Sequence, residues 1–91
     1  MTAKNSAFDT NTITVPAGST VVMTFINNDV NVPHNFALYT DRTAMTRIYV
    51  GDIITGVKTI TYTFTAPSTP GNYFFRCDVH PEMMTGTFVV T

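Results

Sequence analysis

Hydrophobic and polar residues alternate in several short segments of this chain, as they do in β-strands that bury one face. The clearest segment is Thr59–Thr65, in which apolar side chains alternate with threonines. The same period of two residues runs through Thr12–Val15, Thr20–Ile26, Asn72–Cys77 and Thr87–Val90. No window contains the apolar stripe that an amphipathic helix requires. The pattern therefore predicts an all-β protein.

Turn signals between these segments indicate the architecture. Pro16–Gly18 and Asn27–Asp29 are typical of turns that end strands. In the middle of the chain the alternation weakens, so that Thr40–Thr46 is predicted to be a surface loop, and Ile48–Val50 and Ile53–Ile54 short edge strands. About seven short strands separated by turns predict an antiparallel sandwich of two sheets. A small closed barrel is the alternative.

Length and charge limit the function classes. The 91 residues are expected to form one domain, residues 1–91. The net charge of −1 leaves no basic cluster for nucleic acid or for an anionic membrane surface. No apolar run reaches the roughly 18–20 residues of a membrane-spanning helix, and the polar start does not resemble a signal peptide. We therefore expect a mature domain, an excised domain or a cytosolic protein.

The single cysteine lies among other residues that can bind a metal. Cys77 ends an apolar strand, His80 follows three residues later, and Met83 and Met84 precede the last strand. His34, the only other histidine, follows a turn that a sandwich can bring beside this loop. Each residue alone is more often structural. The thiolate, imidazole and thioether together suit copper.

The sequence around these donors resembles the cupredoxins, the family that includes plastocyanin, amicyanin and pseudoazurin. Gly71–Pro81 and Met84–Thr87 are similar to the C-terminal signature of that family, and Val32–Phe36 is similar to its upstream ligand motif. The turn at Val15–Gly18 and the strand that ends at Ala66–Pro67 also fit, so the resemblance spans nearly the whole chain. It implies a Greek-key β-sandwich of about seven or eight strands that binds one copper ion, Cu(I)/Cu(II), at one end.

The resemblance also implies the copper ligands, which are His34, Cys77, His80 and either Met84 or Met83. The family offers two patterns for the methionine. Its spacing from the histidine selects Met83, whereas its spacing from Gly86 selects Met84. We prefer Met84, because the glycine anchors the last strand and Met83 would then lie on the surface. Asn35 is implied to tie the two ligand-bearing loops together by hydrogen bonds, which would hold the geometry of the site.

These ligands imply an electron-transfer protein that cycles one copper ion between Cu(II) and Cu(I). The electron is expected to pass through the solvent-facing edge of His80, at an apolar patch that includes Pro81, Met83, Val79 and Val32–Pro33. The small net charge predicts weak steering of redox partner proteins and short-lived, mostly apolar docking. We expect a monomer that is exported to the periplasm or the extracellular face, or anchored there in a longer protein, with its leader absent from this chain.

Other functions stay open at this stage. A copper oxidase or nitrite reductase needs a second copper site with more histidines, and both histidines here are already assigned. The chain by itself is therefore expected not to be an enzyme, although it could be an electron-transfer domain excised from a larger copper or haem redox protein. A metal-free immunoglobulin-like binding module would bury Cys77 in its core. Zinc bound by the same ligands would be redox-silent.

Overall fold

The computed structural model describes residues 1–91 as two packed β-sheets and a small third sheet, with no helix. The eleven strands are β1 (Thr2–Lys4), β2 (Ala7–Phe8), β3 (Thr12–Val15), β4 (Thr20–Asn27), β5 (Pro33–His34), β6 (Ala37–Tyr39), β7 (Arg47–Val50), β8 (Ile54–Thr55), β9 (Lys58–Thr65), β10 (Gly71–Arg76) and β11 (Thr85–Val90). One sheet has the order β2-β1-β4-β9 and the other β3-β11-β10-β6-β7, while β5 pairs with β8. The chain contains no helix that could span a membrane.

The predicted two-sheet sandwich is confirmed, and the closed barrel is wrong because the two main sheets are separate. The structure has eleven strands rather than seven or eight. The additional strands are short: β1 and β6 have three residues each and β2 and β5 two each, too few to show a period of two in the sequence.

Two strand pairs are parallel, which corrects the prediction of a purely antiparallel sandwich. β1 lies parallel to β4, and β3 lies parallel to β11. Parallel neighbours require a long connection that crosses over, and both pairs meet that requirement. The chain passes into the other sheet between β1 and β4, and most of the molecule separates β3 from β11.

The long antiparallel pair β4–β9 explains the alternation in the sequence. Met23 and Phe25 of β4 face the core, as do Tyr62 and Phe64 of β9, while the threonines of both strands are exposed. Between the sheets, four fully buried phenylalanines fill the core: Phe25, Phe36, Phe75 and Phe88. The rings of Phe36 and Phe75 lie 5.3 Å apart, centroid to centroid.

The strands β10 and β11 approach each other closely at Phe75, near the end of β10. The ring of Phe75 packs against Gly86 so closely that a Cβ atom on residue 86 would overlap it. The two residues are paired across the β10–β11 ladder. A glycine is therefore required there for Phe75 to fill the core two residues before Cys77.

Candidate metal centre

The loop between β10 and β11 is held by backbone hydrogen bonds among the residues that carry the predicted ligands. The Cys77 N–H donates to the Met84 carbonyl at 2.9 Å, which extends the β10–β11 ladder by one step. Within the loop, the His80 N–H donates to the Cys77 carbonyl at 3.2 Å and the Met84 N–H to the His80 carbonyl at 3.1 Å. The three residues therefore have fixed backbone positions relative to one another.

His34 reaches this loop from a distant part of the sequence. It lies on β5, which pairs with β8 through His34 and Ile54. Its Nδ1 atom lies 3.8 Å from the Cys77 sulfur, although the two residues are 43 positions apart. The His80 Nδ1 atom lies 3.7 Å from the same sulfur. One donor atom from each of the three residues falls within 4.8 Å of the other two.

Burial distinguishes the two adjacent methionines. Met84 is 1% exposed and packs with Cys77 in the main core cluster, whereas Met83 is 70% exposed. A ligand to a metal held by buried donors must itself face inward, so burial favours Met84. The assignment of its thioether as a ligand stays a prediction.

Burial also distinguishes the two histidines. His34 and Cys77 are fully buried, and His80 is only partly buried. Of the three grouped donors, His80 alone reaches the surface.

The donor set fits a copper ion. A thiolate, two imidazole nitrogens and a nearby thioether are soft and borderline ligands, and this combination is typical of mononuclear copper electron-transfer sites. The structure provides the three strong donors within a few ångströms of one another and a buried thioether in the same loop.

Asn35 makes the contacts that the resemblance implies. Its Oδ1 atom accepts the Asp78 N–H at 2.8 Å, and its Nδ2 group donates to the Gly51 carbonyl at 3.0 Å. The side chain is completely buried. It therefore links the segment that carries His34 to the loop that begins at Cys77.

A polar cluster lies on the other side of Asp78. The Asp78 Oδ1 atom accepts hydrogen bonds from the Tyr39 hydroxyl at 2.6 Å and from Arg76 Nε at 2.9 Å, and the Arg76 guanidinium lies over the Tyr39 ring. Burial alone would raise the pKa of Asp78, but the hydrogen bonds from Tyr39, Arg76 and Asn35 outweigh it and lower the pKa. Arg76 therefore offsets the charge of Asp78.

The contact between His34 and Asp29 was not predicted from the sequence. The His34 Nε2 atom lies 2.6 Å from Asp29 Oδ2, on the opposite edge of the ring from Cys77. The backbone N–H of Ser6, the His34 ring and the backbone N–H of Asn5 lower the pKa of Asp29 to about 2. The available signal was an acidic residue five positions before His34, but Asn27–Asp29 is equally typical of a turn that ends a strand.

Comparisons with known proteins agree with this arrangement. A family model described as a cupredoxin-like domain matches residues 1–90. The chain is similar to auracyanin A, a blue copper protein of the green thermophilic photosynthetic bacterium Chloroflexus aurantiacus, with 28% identity, a TM-score of 0.84 and coverage of 98% of this chain and 92% of that one. It is also similar to dithionite-reduced auracyanin from the photosynthetic bacterium Roseiflexus castenholzii, with 26% identity, a TM-score of 0.82 and coverage of 93% and 87%.

A more distant likeness extends to amicyanin. A reduced Cu(I) form of an amicyanin variant shares the fold, with 24% identity, a TM-score of 0.68 and coverage of 99% of this chain and 78% of that one. Among curated proteins, no sequence matches this chain significantly.

Proposed function

This chain belongs to the cupredoxin-like domain family, and from that membership we propose that it is a type 1 copper protein that transfers single electrons. The ion is held by residues of two segments: His34, Cys77, His80 and Met84. When bound, copper supplies a one-electron couple between Cu(II) and Cu(I). The immunoglobulin-like alternative is set aside because the chain matches a different family over residues 1–90.

The observation that carries the proposal is the convergence of three donors at one buried point. One donor atom from each of Cys77, His34 and His80 falls within 4.8 Å of the other two, and the Nδ1 atoms of His34 and His80 lie 3.8 and 3.7 Å from the Cys77 sulfur. Side chains that pack only for burial have no reason to direct two imidazole nitrogens at one sulfur. Cys77 supplies the thiolate, the two histidines supply nitrogen donors that suit both oxidation states, and Met84 supplies a weak thioether.

The fold supports electron transfer by restricting how far the ligands can move. Cys77 and Met84 are joined by a backbone hydrogen bond at the edge of the β-ladder, and His34 lies in a strand pair. Buried donors in a close-packed core cannot rearrange easily. The ligand positions are therefore expected to change little between the two oxidation states, which favours a low barrier.

His80 is the proposed point of electron entry and exit. It is the only member of the three-donor group with exposed surface, whereas His34, Cys77 and Met84 are buried. A partner protein can therefore contact the site most directly through the edge of the His80 ring.

The docking surface is proposed to be apolar and weakly charged. Met83 is 70% exposed and Pro81 is exposed on the same loop as His80, while Val79 and Val32–Pro33 are partly buried. With a net charge of −1, long-range attraction of partners is weak. We expect the rate of electron exchange with a redox protein to change little with ionic strength, and a steep dependence would contradict this docking mode.

We also propose that the protein acts as a monomer outside the cytoplasm. A reducing, copper-scavenging cytosol suits a site of this kind poorly, because the thiol reductants there would keep the copper as Cu(I) and compete for it. Fractionation of the source cells with an antibody to the chain would test the location.

The proposed copper site is tested by adding Cu(II) to the purified protein. We expect an intense visible absorption band, because a thiolate bound to Cu(II) transfers charge to the metal, as in the blue copper proteins that the family resemblance implies. Cys77→Ser should abolish the band and leave the protein folded. A colourless wild-type protein, or a band that persists in Cys77→Ser, would contradict the proposal, and tight zinc binding without copper binding would favour the redox-silent alternative.

The choice of methionine is tested by two matched variants. Met84→Leu keeps a buried apolar side chain of similar volume, which costs less than about 1.5 kcal/mol of stability, but it removes the thioether. We expect it to change the visible spectrum and the redox potential of the copper form. Met83→Leu is the control and should change neither, since Met83 is exposed. The reverse result would assign Met83 as the ligand.

A further inference from the structure

The buried edge of His34 that faces away from Cys77 is held by a carboxylate. Asp29 Oδ2 lies 2.6 Å from His34 Nε2, and the two side chains are 11% and 0% exposed. On the opposite edge of the ring, Nδ1 faces the Cys77 sulfur at 3.8 Å. In a neutral imidazole one nitrogen carries the proton and the other accepts. A proton on Nε2 donates to Asp29 and leaves the lone pair of Nδ1 directed at the metal position.

Asp29 is itself held in place by an unusual turn. Its Oδ1 atom accepts the Asn5 N–H at 2.6 Å and its Oδ2 atom accepts the Ser6 N–H at 3.0 Å. Asn5 and Ser6, in the turn between β1 and β2, both have a φ of 53°, a conformation that is uncommon for residues other than glycine. These two successive N–H groups form a small anion-binding concavity around the carboxylate.

The backbone of Asp29 is fixed by a buried side chain. Its N–H donates to Asn27 Oδ1 at 2.9 Å, and Asn27 Nδ2 donates to the carbonyls of Val32 and Ile54 at 2.8 and 2.9 Å. Asn27 is completely buried. The loop between β4 and β5 is therefore organised from inside, with the Asp29 carboxylate directed at His34.

We propose that Asp29 is a positioning residue for the copper site, which fixes the tautomer and ring orientation of His34 and strengthens Nδ1 as an electron donor. This inference rests on the proposed function. An anionic partner stabilises positive charge on the ring, so it favours the more highly charged Cu(II) over Cu(I). Asp29 would then lower the redox potential of the site, and it would couple the N-terminal hairpin to a metal ligand.

The first test uses the copper-free protein, so it does not depend on the proposed function. Long-range ¹⁵N–¹H correlation spectra of the imidazoles near neutral pH should show His34 as the Nε2–H tautomer, with a proton that exchanges slowly with water. In Asp29→Asn we expect a mixture of tautomers or rapid exchange. A wild-type His34 that carries its proton on Nδ1, or whose signals are unchanged in Asp29→Asn, would overturn the proposal, and the wild-type spectrum decides even if the variant does not fold.

The second test measures copper binding and the redox potential. Loss of a partner of this kind typically lowers metal affinity by about 10- to 100-fold, and we expect the loss in Asp29→Asn to be larger for Cu(II) than for Cu(I). If the Cu(II) affinity falls tenfold more, the potential rises by about 59 mV. Asp9→Asn is the control. It removes the same charge, and Asp9 accepts the Thr2 N–H of the hairpin that also holds Asp29. Equal potentials in the two variants would overturn the proposal, whereas a wild-type protein that binds no copper would contradict the proposed function alone.

Discussion

Replacing Asn35 with leucine separates the hydrogen bonds of this side chain from its volume. The variant Asn35→Leu keeps a buried side chain of similar size but leaves the Asp78 N–H without its acceptor and the Gly51 carbonyl without its donor. Both groups lie near the metal centre, on segments that follow β10 and β7. The perturbation therefore removes the link between these segments and the residue after His34.

The expected loss of stability follows from those two groups. A buried polar group that loses its partner costs about 1–3 kcal/mol, so two such groups cost about 2–6 kcal/mol in the copper-free protein. A small domain unfolds in urea with a slope near 1 kcal/mol per molar. A loss of about 2 kcal/mol would then lower the urea midpoint by about 2 M.

The assay is equilibrium unfolding of the copper-free protein in urea, followed by circular dichroism. Asn72→Leu makes the same change at an exposed position of β10 and should stay within about 0.5 kcal/mol of the wild type. If Asn35→Leu loses less than about 1 kcal/mol, water or a local shift must satisfy the two backbone groups, and the reasoning that Asn35 holds the two segments together is refuted.

Three further predictions concern the rest of the molecule. Gly86→Ala should lower the unfolding free energy by about 1–3 kcal/mol, because its Cβ would overlap the ring of Phe75; an unchanged urea midpoint would contradict the close packing. Asp41 accepts from the Thr43 N–H and hydroxyl, which lower its pKa, so its contribution is complete above about pH 4 and is lost as the pH falls below that; Asp41→Asn should be less stable than the wild type at pH 7, and the difference should vanish in acid. Copper should raise the melting temperature of the wild type but not of Cys77→Ser, and an equal rise in both, measured by scanning calorimetry, would indicate binding elsewhere.

The sequence predicted the long strands well because each of them buries one face along its whole length. β9 reads directly from the alternation of Thr59–Thr65, and the structure places its apolar residues inside. The strands β1, β2, β5 and β6 were not predicted, because they have only two or three residues and are defined by their partners. The parallel pairs were missed for the same reason, since a local pattern carries no information on which distant strand lies alongside.

The adjacent phenylalanines of β10 show another limit of pattern reading. Phe75 faces the core between the sheets, but Phe74 is buried on the opposite face, in a small cluster with Ala37 and Tyr39. That face is covered by residues of the predicted surface loop, of which Ala44 packs against the cluster. A period of two predicts which residues share a face, but whether the second face is covered depends on a loop that comes from elsewhere in the chain.

The candidate site was predictable where its chemistry is local. Cys77, His80 and the methionines lie within eight residues, so their donors could be grouped from spacing alone. For Asp29 the sequence offers only its position five residues before His34, because its role depends on the turn at Asn5 and Ser6, which no property of the sequence near His34 indicates. Contacts of this kind are made by backbone N–H groups and leave no motif.

The two histidines, which the sequence presents as equivalent ligands, have unequal surroundings. His34 has contacts on both edges of its ring, with Cys77 on one side and Asp29 on the other, and it is completely buried. For His80 the structure shows a side-chain contact with Cys77, and part of its ring is exposed. Movement and contact with a partner are therefore expected at His80, while His34 stays fixed in both oxidation states. The asymmetry arises because one ligand lies in a strand pair organised by buried side chains and the other in a loop that is held by its own backbone.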